Sequence, residues 1–219
     1  MKQWPQNKSD NNLLNNYPFP HLGIDEVGRG CLAGPVCSGI VFLNPEYKSL
    51  HYYDSKKIKE SDRILLSEEI HANHYAAIGW ASPEEVDELN IRQATFLAMR
   101  RAFQKFKSDH EMKLVNKFGL LIKNGTLLVD GRDNVPNIEI LNQLNFIKGD
   151  QRIRSISAAS LVAKVARDQV MKAYSVEFNQ YGFEEHKGYG TEKHRSAIMQ
   201  FGPTSIHRKS FGGVKEYIL

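Results

Sequence analysis

Apolar residues along the chain follow two periods, and the switch between them outlines the secondary structure. Leu22 to Val27 and Val36 to Leu43 have the composition of short buried strands, and Gly28-Arg29-Gly30 ends the first. Tyr75 to Ala81 is a third strand of the same kind. Ser82-Pro83-Glu84-Glu85 is a capping box with proline at the first helical position, so a helix starts there. Asn90 is placed to cap the next helix, in which Ala94, Leu97, Ala98, Ala102 and Phe106 fall at helical spacing. Leu127-Leu128-Val129 is a buried strand running into Asp130-Gly131, and Phe146-Ile147 is a shorter one ending at Lys148-Gly149-Asp150. From Ser157 to Ala173, residues Ala158, Leu161, Val162, Val165, Ala166, Val170 and Ala173 line one side of a helix. Antiparallel strands followed by alternating helices and strands predict an α/β protein with a mixed sheet.

Composition narrows this picture without redirecting it. The chain has 219 residues, 41% hydrophobic and 25% charged, which are ordinary globular values. No apolar run approaches the roughly 18 residues of a membrane-spanning helix. Residues 1–20 carry five asparagines and no apolar core segment, so they read as a flexible polar leader and not as a signal peptide. No linker or repeat interrupts the rest, and one domain is expected over 21–211, with a short tail at 212–219. Lys and Arg number 29 against 25 Asp and Glu, a net +4 that permits nucleic acid without demanding it. Cys31 and Cys37 are the only cysteines, too few for a disulfide framework or a cysteine zinc site. A reducing cytoplasm is the expected location.

Candidate chemistry lies where the acids fall. Asp25-Glu26, Asp130 and Asp150 each sit at the end of an expected strand, and such residues gather at the sheet edge where open α/β sheets bind ligands. Two carboxylates about 4 Å apart repel by about 4 kcal/mol at an effective dielectric near 20, so a cluster takes up protons or binds cations. An all-oxygen set suits Mg²⁺ or Mn²⁺. The plainer alternative is that each is a turn residue or helix cap. Asp25 and Glu26 also point to opposite faces of a strand, unless it kinks at Val27-Gly28.

Other motifs are weaker. Gly28-Arg29-Gly30-Cys31-Leu32-Ala33 matches a dinucleotide fingerprint, but Gly34-Pro35 and a strand follow where a helix is required. What remains is a glycine turn whose backbone a substrate could approach closely. His71-Ala72-Asn73-His74 lacks a third metal ligand nearby. Lys187, Lys193, Arg195, Arg208 and Lys209, with Tyr189 between glycines, suit either a phosphate backbone and a stacked sugar or a solvated face. Asp54-Ser55-Lys56-Lys57 is a second basic turn of that kind.

Taken together these segments resemble ribonuclease HII, the type 2 ribonuclease H. The resemblance rests on Gly23-Ile24-Asp25-Glu26-Val27-Gly28-Arg29-Gly30 through Val36, then on Asp54-Ser55-Lys56-Lys57, Leu89-Asn90-Ile91, Val129-Asp130-Gly131 and Lys148-Gly149-Asp150. Ser157-Ala158-Ala159-Ser160, Arg167-Asp168, Lys187-Gly188-Tyr189-Gly190-Thr191 and Ile206-His207-Arg208 complete the series in family order. Arg29, where a type 3 enzyme carries lysine, and the short stretch before the first motif favour type 2. Gly202-Pro203-Thr204-Ser205 departs from the family, in which a Cys-Pro pair is commoner before Ile206.

The resemblance implies a ribonuclease H-like fold with a helical C-terminal part. It implies an endonuclease that hydrolyses the RNA strand of RNA–DNA hybrids and incises 5′ of single ribonucleotides in duplex DNA, leaving 3′-hydroxyl and 5′-phosphate ends. The family's metal-ligand acids fall on Asp25, Glu26, Asp130 and Asp150, the last able to act through water, with two Mn²⁺ or Mg²⁺ ions as cofactors. Its substrate-binding turn falls on Gly28, Arg29 and Gly30, and its 2′-hydroxyl-sensing tyrosine on Tyr189; Ser55, Lys56 and Lys187 are further substrate contacts. Two metals would activate water and neutralise the phosphorane, so no side-chain nucleophile is needed. A monomer without membrane attachment is expected, and the tail is a candidate docking segment for a sliding clamp. A glycosidase also needs paired carboxylates but would work in EDTA. A nucleic-acid-binding module would bind without cutting. Neither accounts for the ordered motifs.

Overall fold

In the computed structural model, which describes residues 14, 16–47, 52 and 58–218, one five-stranded mixed sheet organises the chain. Its strands are β1 (His21–Val27), β2 (Val36–Phe42), β3 (Tyr75–Ala81), β4 (Thr126–Asp130) and β5 (Asn142–Phe146), in the order β3-β2-β1-β4-β5. β1, β2 and β3 pair antiparallel, whereas β4 runs parallel to β1 and β5 parallel to β4. The helices are α1 (Glu60–Asn73), α2 (Pro83–Leu89), α3 (Ile91–Phe118), α4 (Arg154–Glu177), α5 (Phe183–His186) and α6 (Glu192–Phe201).

Strand alternation sorts the core into two layers. Leu22, Ile24, Leu127 and Val129 face α3 and pack with Phe96, Met99, Phe103 and Phe106. On the opposite face α4 lies across β1 and β2, with Leu128 against Ile153 and Ile156. Contact there is close enough to demand glycine: a Cβ on Gly23 would come 2.1 Å from the Ser155 carbonyl carbon. α3 begins at Asn90, whose side chain accepts from the Arg92 and Gln93 amides, and ends at Gly119 in the left-handed region. A third cluster, built from Leu32, Met171, Tyr181, Phe183, Ile198, Ile206 and Val214, joins the C-terminal segments to the β1–β2 connection.

The expected strands and the helices from Pro83, Asn90 and Ser157 all form, with shifted ends. β5 lies over 142–146, upstream of the predicted Phe146-Ile147. It is a polar edge strand, Asn-Gln-Leu-Asn-Phe, in which only Phe146 is buried, so hydrophobicity does not reveal it. α4 starts three residues before Ser157. α1 was not expected; Ser67 and Ile70 are its only buried residues, too few for a periodic signal. Packing also begins before residue 21, because the Pro18 and Pro20 carbonyls accept from Thr126. It runs beyond 211, since Val214 is fully buried.

Candidate active site

The parallel pairing of β1 with β4 sets Ile24 opposite Val129, so Asp25, two residues before the end of β1, and Asp130, the last residue of β4, stand side by side. Asp25 is only 4% exposed and lies on the α4 face, where Ser160 hydrogen-bonds its carboxyl. The Glu26 amide donates to Asp25 Oδ1 at 2.7 Å. Burial, followed by the charges of Glu26 and Asp130, nevertheless pushes the Asp25 carboxyl well above the usual carboxylate range. β1 stays regular through Val27, which pairs with Cys37, so the kink that would turn Asp25 and Glu26 to one face does not occur before Gly28. Glu26 therefore reaches the rim from the α3 side. Burial raises its carboxyl too, opposed by Arg29, whose Nη1 lies 3.0 Å from Glu26 Oε1.

Asp150 arrives by a different route. It lies in a 3₁₀ turn, Gly149–Gln151, between β5 and α4, and is itself buried. The Gly149 amide donates to Asp130 Oδ1 at 2.6 Å, which staples this turn to the end of β4. Ser157 Oγ lies 2.6 Å from the Asp150 carbonyl and 2.7 Å from that of Tyr52. Glu26 and Asp130 also open into one cleft, shared with Arg29, Arg92, Arg132 and Asp133. Four carboxylates without cysteine or imidazole are the donor set of a hard cation such as Mg²⁺ or Mn²⁺. Among the described residues, no three His, Cys, Asp or Glu side chains stand close enough together to grip an ion as they are.

Beside the acids runs the glycine turn. Gly28 adopts φ +98°, and a Cβ there would lie 2.3 Å from Arg167 Nε and 2.9 Å from the Pro35 carbonyl. At Gly30 a Cβ would meet nothing within 4 Å, so this backbone is open to an approaching molecule. Two fully buried arginines hold the turn. Arg167 donates to the carbonyls of Pro35, Lys187 and Ala33, and Arg208 to those of Gly34 and Arg29. Burial lowers the Arg208 guanidinium to about 10. Short β-bridges add Cys31 to Tyr189 and Ala33 to His207. Tyr189 thus stands next to the turn, 42% exposed, its hydroxyl hydrogen-bonded with the Cys31 thiol and its pKa raised by burial.

The basic C-terminal stretch is not the uniform phosphate-facing surface that its composition allowed. Lys187 is buried, and its ammonium donates to the Glu184 carbonyl, so it turns inward. Arg208 is wholly internal, and Lys193 pairs with Glu185 at 2.6 Å. Ser55 and Lys56 lie outside the described residues. Sequence reasoning missed the part played by Arg167 and Arg208. The available signal was a charged residue inside the apolar periodicity of α4.

A mixed sheet of this order, with carboxylates in the last residues of its two central parallel strands, is a ribonuclease H-like fold. The family model for ribonuclease HII matches residues 22–214, and the chain belongs to the ribonuclease HII family. It is 44% identical over 194 residues to the ribonuclease HII of Vibrio cholerae, spanning 88% of this chain and 86% of the relative. Among solved structures, ribonuclease HII in the PCNA complex from Archaeoglobus fulgidus superposes with TM-score 0.65 at 24% identity, over 89% of this chain and 96% of that one. Bst-RNase HIII in complex with Mn²⁺ gives TM-score 0.67 at 14% identity, over 99% and 75%. Family membership makes the protein an enzyme, an endonuclease of the ribonuclease H type.

Proposed function

We propose that the enzyme hydrolyses the RNA strand of RNA–DNA hybrids and incises 5′ of single ribonucleotides in duplex DNA, leaving 3′-hydroxyl and 5′-phosphate ends. The observation that carries the reading is the β1–β4 register, which sets Asp25 beside Asp130 within one residue of Glu26 and next to an open glycine turn. Asp25, Glu26, Asp130 and Asp150 are the residues to hold two Mn²⁺ or Mg²⁺ ions; the Mn²⁺ complex of the similar Bst-RNase HIII supports that choice. Two such ions, if held by these carboxylates, would supply an activated water and would neutralise charge at the phosphorane and the leaving oxygen. Glu26 now pairs with Arg29 at 3.0 Å, so a cation held by Glu26 would leave the half-exposed Arg29 guanidinium available to a phosphate.

The chain's own residues select the sugar. A 2′-hydroxyl both donates and accepts, so open backbone at Gly28–Gly30 can read it, while the exposed Tyr189 ring stacks on the same sugar. Ser55 and Lys56, which follow the anchored Tyr52, are proposed phosphate contacts; Lys187 is assigned to the scaffold. Residues 21–211 form the catalytic domain of a cytoplasmic monomer. The tail at 212–219 is a candidate clamp-docking segment, supported by the PCNA complex of the Archaeoglobus relative and by the exposure of Tyr217 and Ile218. Among the described residues no helix is long and apolar enough to cross a membrane.

The test is cleavage of end-labelled duplex DNA carrying one ribonucleotide, with Mg²⁺, Mn²⁺ or EDTA and an all-DNA control. A single metal-dependent cut on the 5′ side is expected. Cutting of long hybrid alone would contradict the single-ribonucleotide specificity, and binding without cutting under any metal would contradict the catalytic reading.

A further inference from the structure

Three histidines occupy the C-terminal cluster, and the reaction described above uses none of them. His194 and His207 are fully buried with Nε2 atoms 3.0 Å apart, and His186 stacks on His194 with ring centroids 4.5 Å apart. The direction of their hydrogen bonds is set by groups that can act in one sense only. The Thr204 amide, which can only donate, lies 2.9 Å from His207 Nδ1, so that nitrogen is the acceptor and the His207 proton sits on Nε2. His207 Nε2–H then donates to His194 Nε2. The His194 proton is left on Nδ1, and it donates to the Tyr189 carbonyl at 3.0 Å. His186 is fixed the same way: its Nδ1 accepts from the Gly188 amide, and its Nε2–H donates to the Tyr181 carbonyl at 2.7 Å.

We infer that His207 and His194 form a one-way neutral relay from Thr204 to the Tyr189 carbonyl, and that they are positioning residues for the Tyr189 ring. The inference rests on the proposed role of Tyr189 at the 2′-hydroxyl. Other bonds fix the turn on either side of Tyr189: the Lys187, Gly188 and Gly190 carbonyls accept from Arg167, the Leu32 amide and Arg195, and the Tyr189 amide donates to the His186 carbonyl; at the Tyr189 carbonyl itself, among the described residues, the His194 bond is joined only by that from the Thr191 amide. Every ring nitrogen in the relay is engaged, and an added proton would set two N–H groups against each other. The other ionisable groups around the cluster are His186, Lys193, Arg195, Glu184 and Glu185, with Tyr181 and Phe183 covering the rings.

The test combines ring spectroscopy with two substitutions. In ¹⁵N-edited spectra of the full chain between pH 6 and 8, His207 is expected as the neutral Nε2–H tautomer and His194 as neutral Nδ1–H. A reversed pair, or an imidazolium at neutral pH, would overturn the relay without reference to activity. His207→Phe keeps the ring volume but removes the donor, whereas His207→Gln retains an amide donor towards His194. For cleavage at a single ribonucleotide, His207→Phe is expected to lower kcat by about 10- to 100-fold, the scale of a small misplacement, with KM changed less than about threefold. His207→Gln should recover most of kcat. Tyr189→Ala is run alongside. If it loses kcat while His207→Phe, folded by its melting curve, does not, the relay is wrong and the Tyr189 reading stands. If Tyr189→Ala itself cleaves normally, that reading fails and the positioning role fails with it.

Discussion

Asp25 and Arg167 are both almost fully buried ionisable side chains on neighbouring elements, yet their surroundings treat charge in opposite ways. Arg167 spends its donors on three carbonyls, and its neighbour Arg208 does the same on two more. Asp25 accepts from Ser160 and the Glu26 amide but faces two further carboxylates, and its own carboxyl is driven upward. The arginine region is satisfied as it stands and behaves as scaffold. At the acidic rim, burial and neighbouring carboxylates disfavour charge on Asp25, which is the electrostatic condition the proposed cation would relieve.

Asp25→Asn should separate the two kinds of burial most sharply. Removing a proposed metal ligand is expected to cost about 10³-fold or more in kcat, a loss at or beyond the upper end for a single charge-stabilising group. The same change relieves repulsion with Glu26 and Asp130, so melting in EDTA should occur at higher temperature than for wild type. Arg167→Met is expected to act in reverse. Three buried carbonyls lose their donors, at about 1–3 kcal/mol each if left unmet, so denaturant unfolding should show a loss of several kcal/mol. Gly28→Ala sits at the junction of the two regions. Its positive φ costs about 1 kcal/mol or more, the Arg167 contact adds to it, and both stability and turnover should fall.

The most gradual effect is in pH. Burial lowers His194 to about 4 and His207 to about 3, below the unfolded value near 6.5. The unfolded chain therefore binds more protons between these limits, and this contribution to stability is complete above pH 6.5. It declines as pH falls through 6 and 5, by at most about 1.4 kcal/mol per pH unit for each ring. Asp25 has the opposite sign: its raised folded pKa favours the folded state at low pH and weakens it as pH rises above 3.8. Urea titrations of wild type and His207→Phe from pH 4.5 to 7 should show a flatter slope in the variant.

The difference between the regions also explains what could be read from the sequence. β1 to β4 were legible as short apolar runs bounded by turn residues, α2 from its capping box, α3 and α4 from apolar residues at helical spacing, and the acids because each lies at or near the end of an expected strand. β5 and α1 were not, since one is a polar edge strand and the other buries almost nothing. Asp150 was legible as a residue after a strand, although the strand itself was misplaced. The arginine scaffold stayed hidden for a deeper reason. Its partners are backbone carbonyls, four of the five more than 100 positions away, and a carbonyl has no signature in sequence. For the same reason Lys187 read as a surface cation when its partner is the Glu184 carbonyl.

The central claim is that Asp25, Glu26 and Asp130, which β1 and β4 bring together, form the proposed cation site and that burial and mutual repulsion hold the Asp25 carboxyl high until a cation binds. Thermal melting of wild type and Asp25→Asn, each in EDTA and in Mn²⁺, tests it most directly. Mn²⁺ should raise the wild-type melting temperature, and Asp25→Asn should melt above wild type in EDTA and respond little to the metal. An Asp25→Asn protein that melts below wild type in EDTA, with an undiminished Mn²⁺ shift, would contradict it.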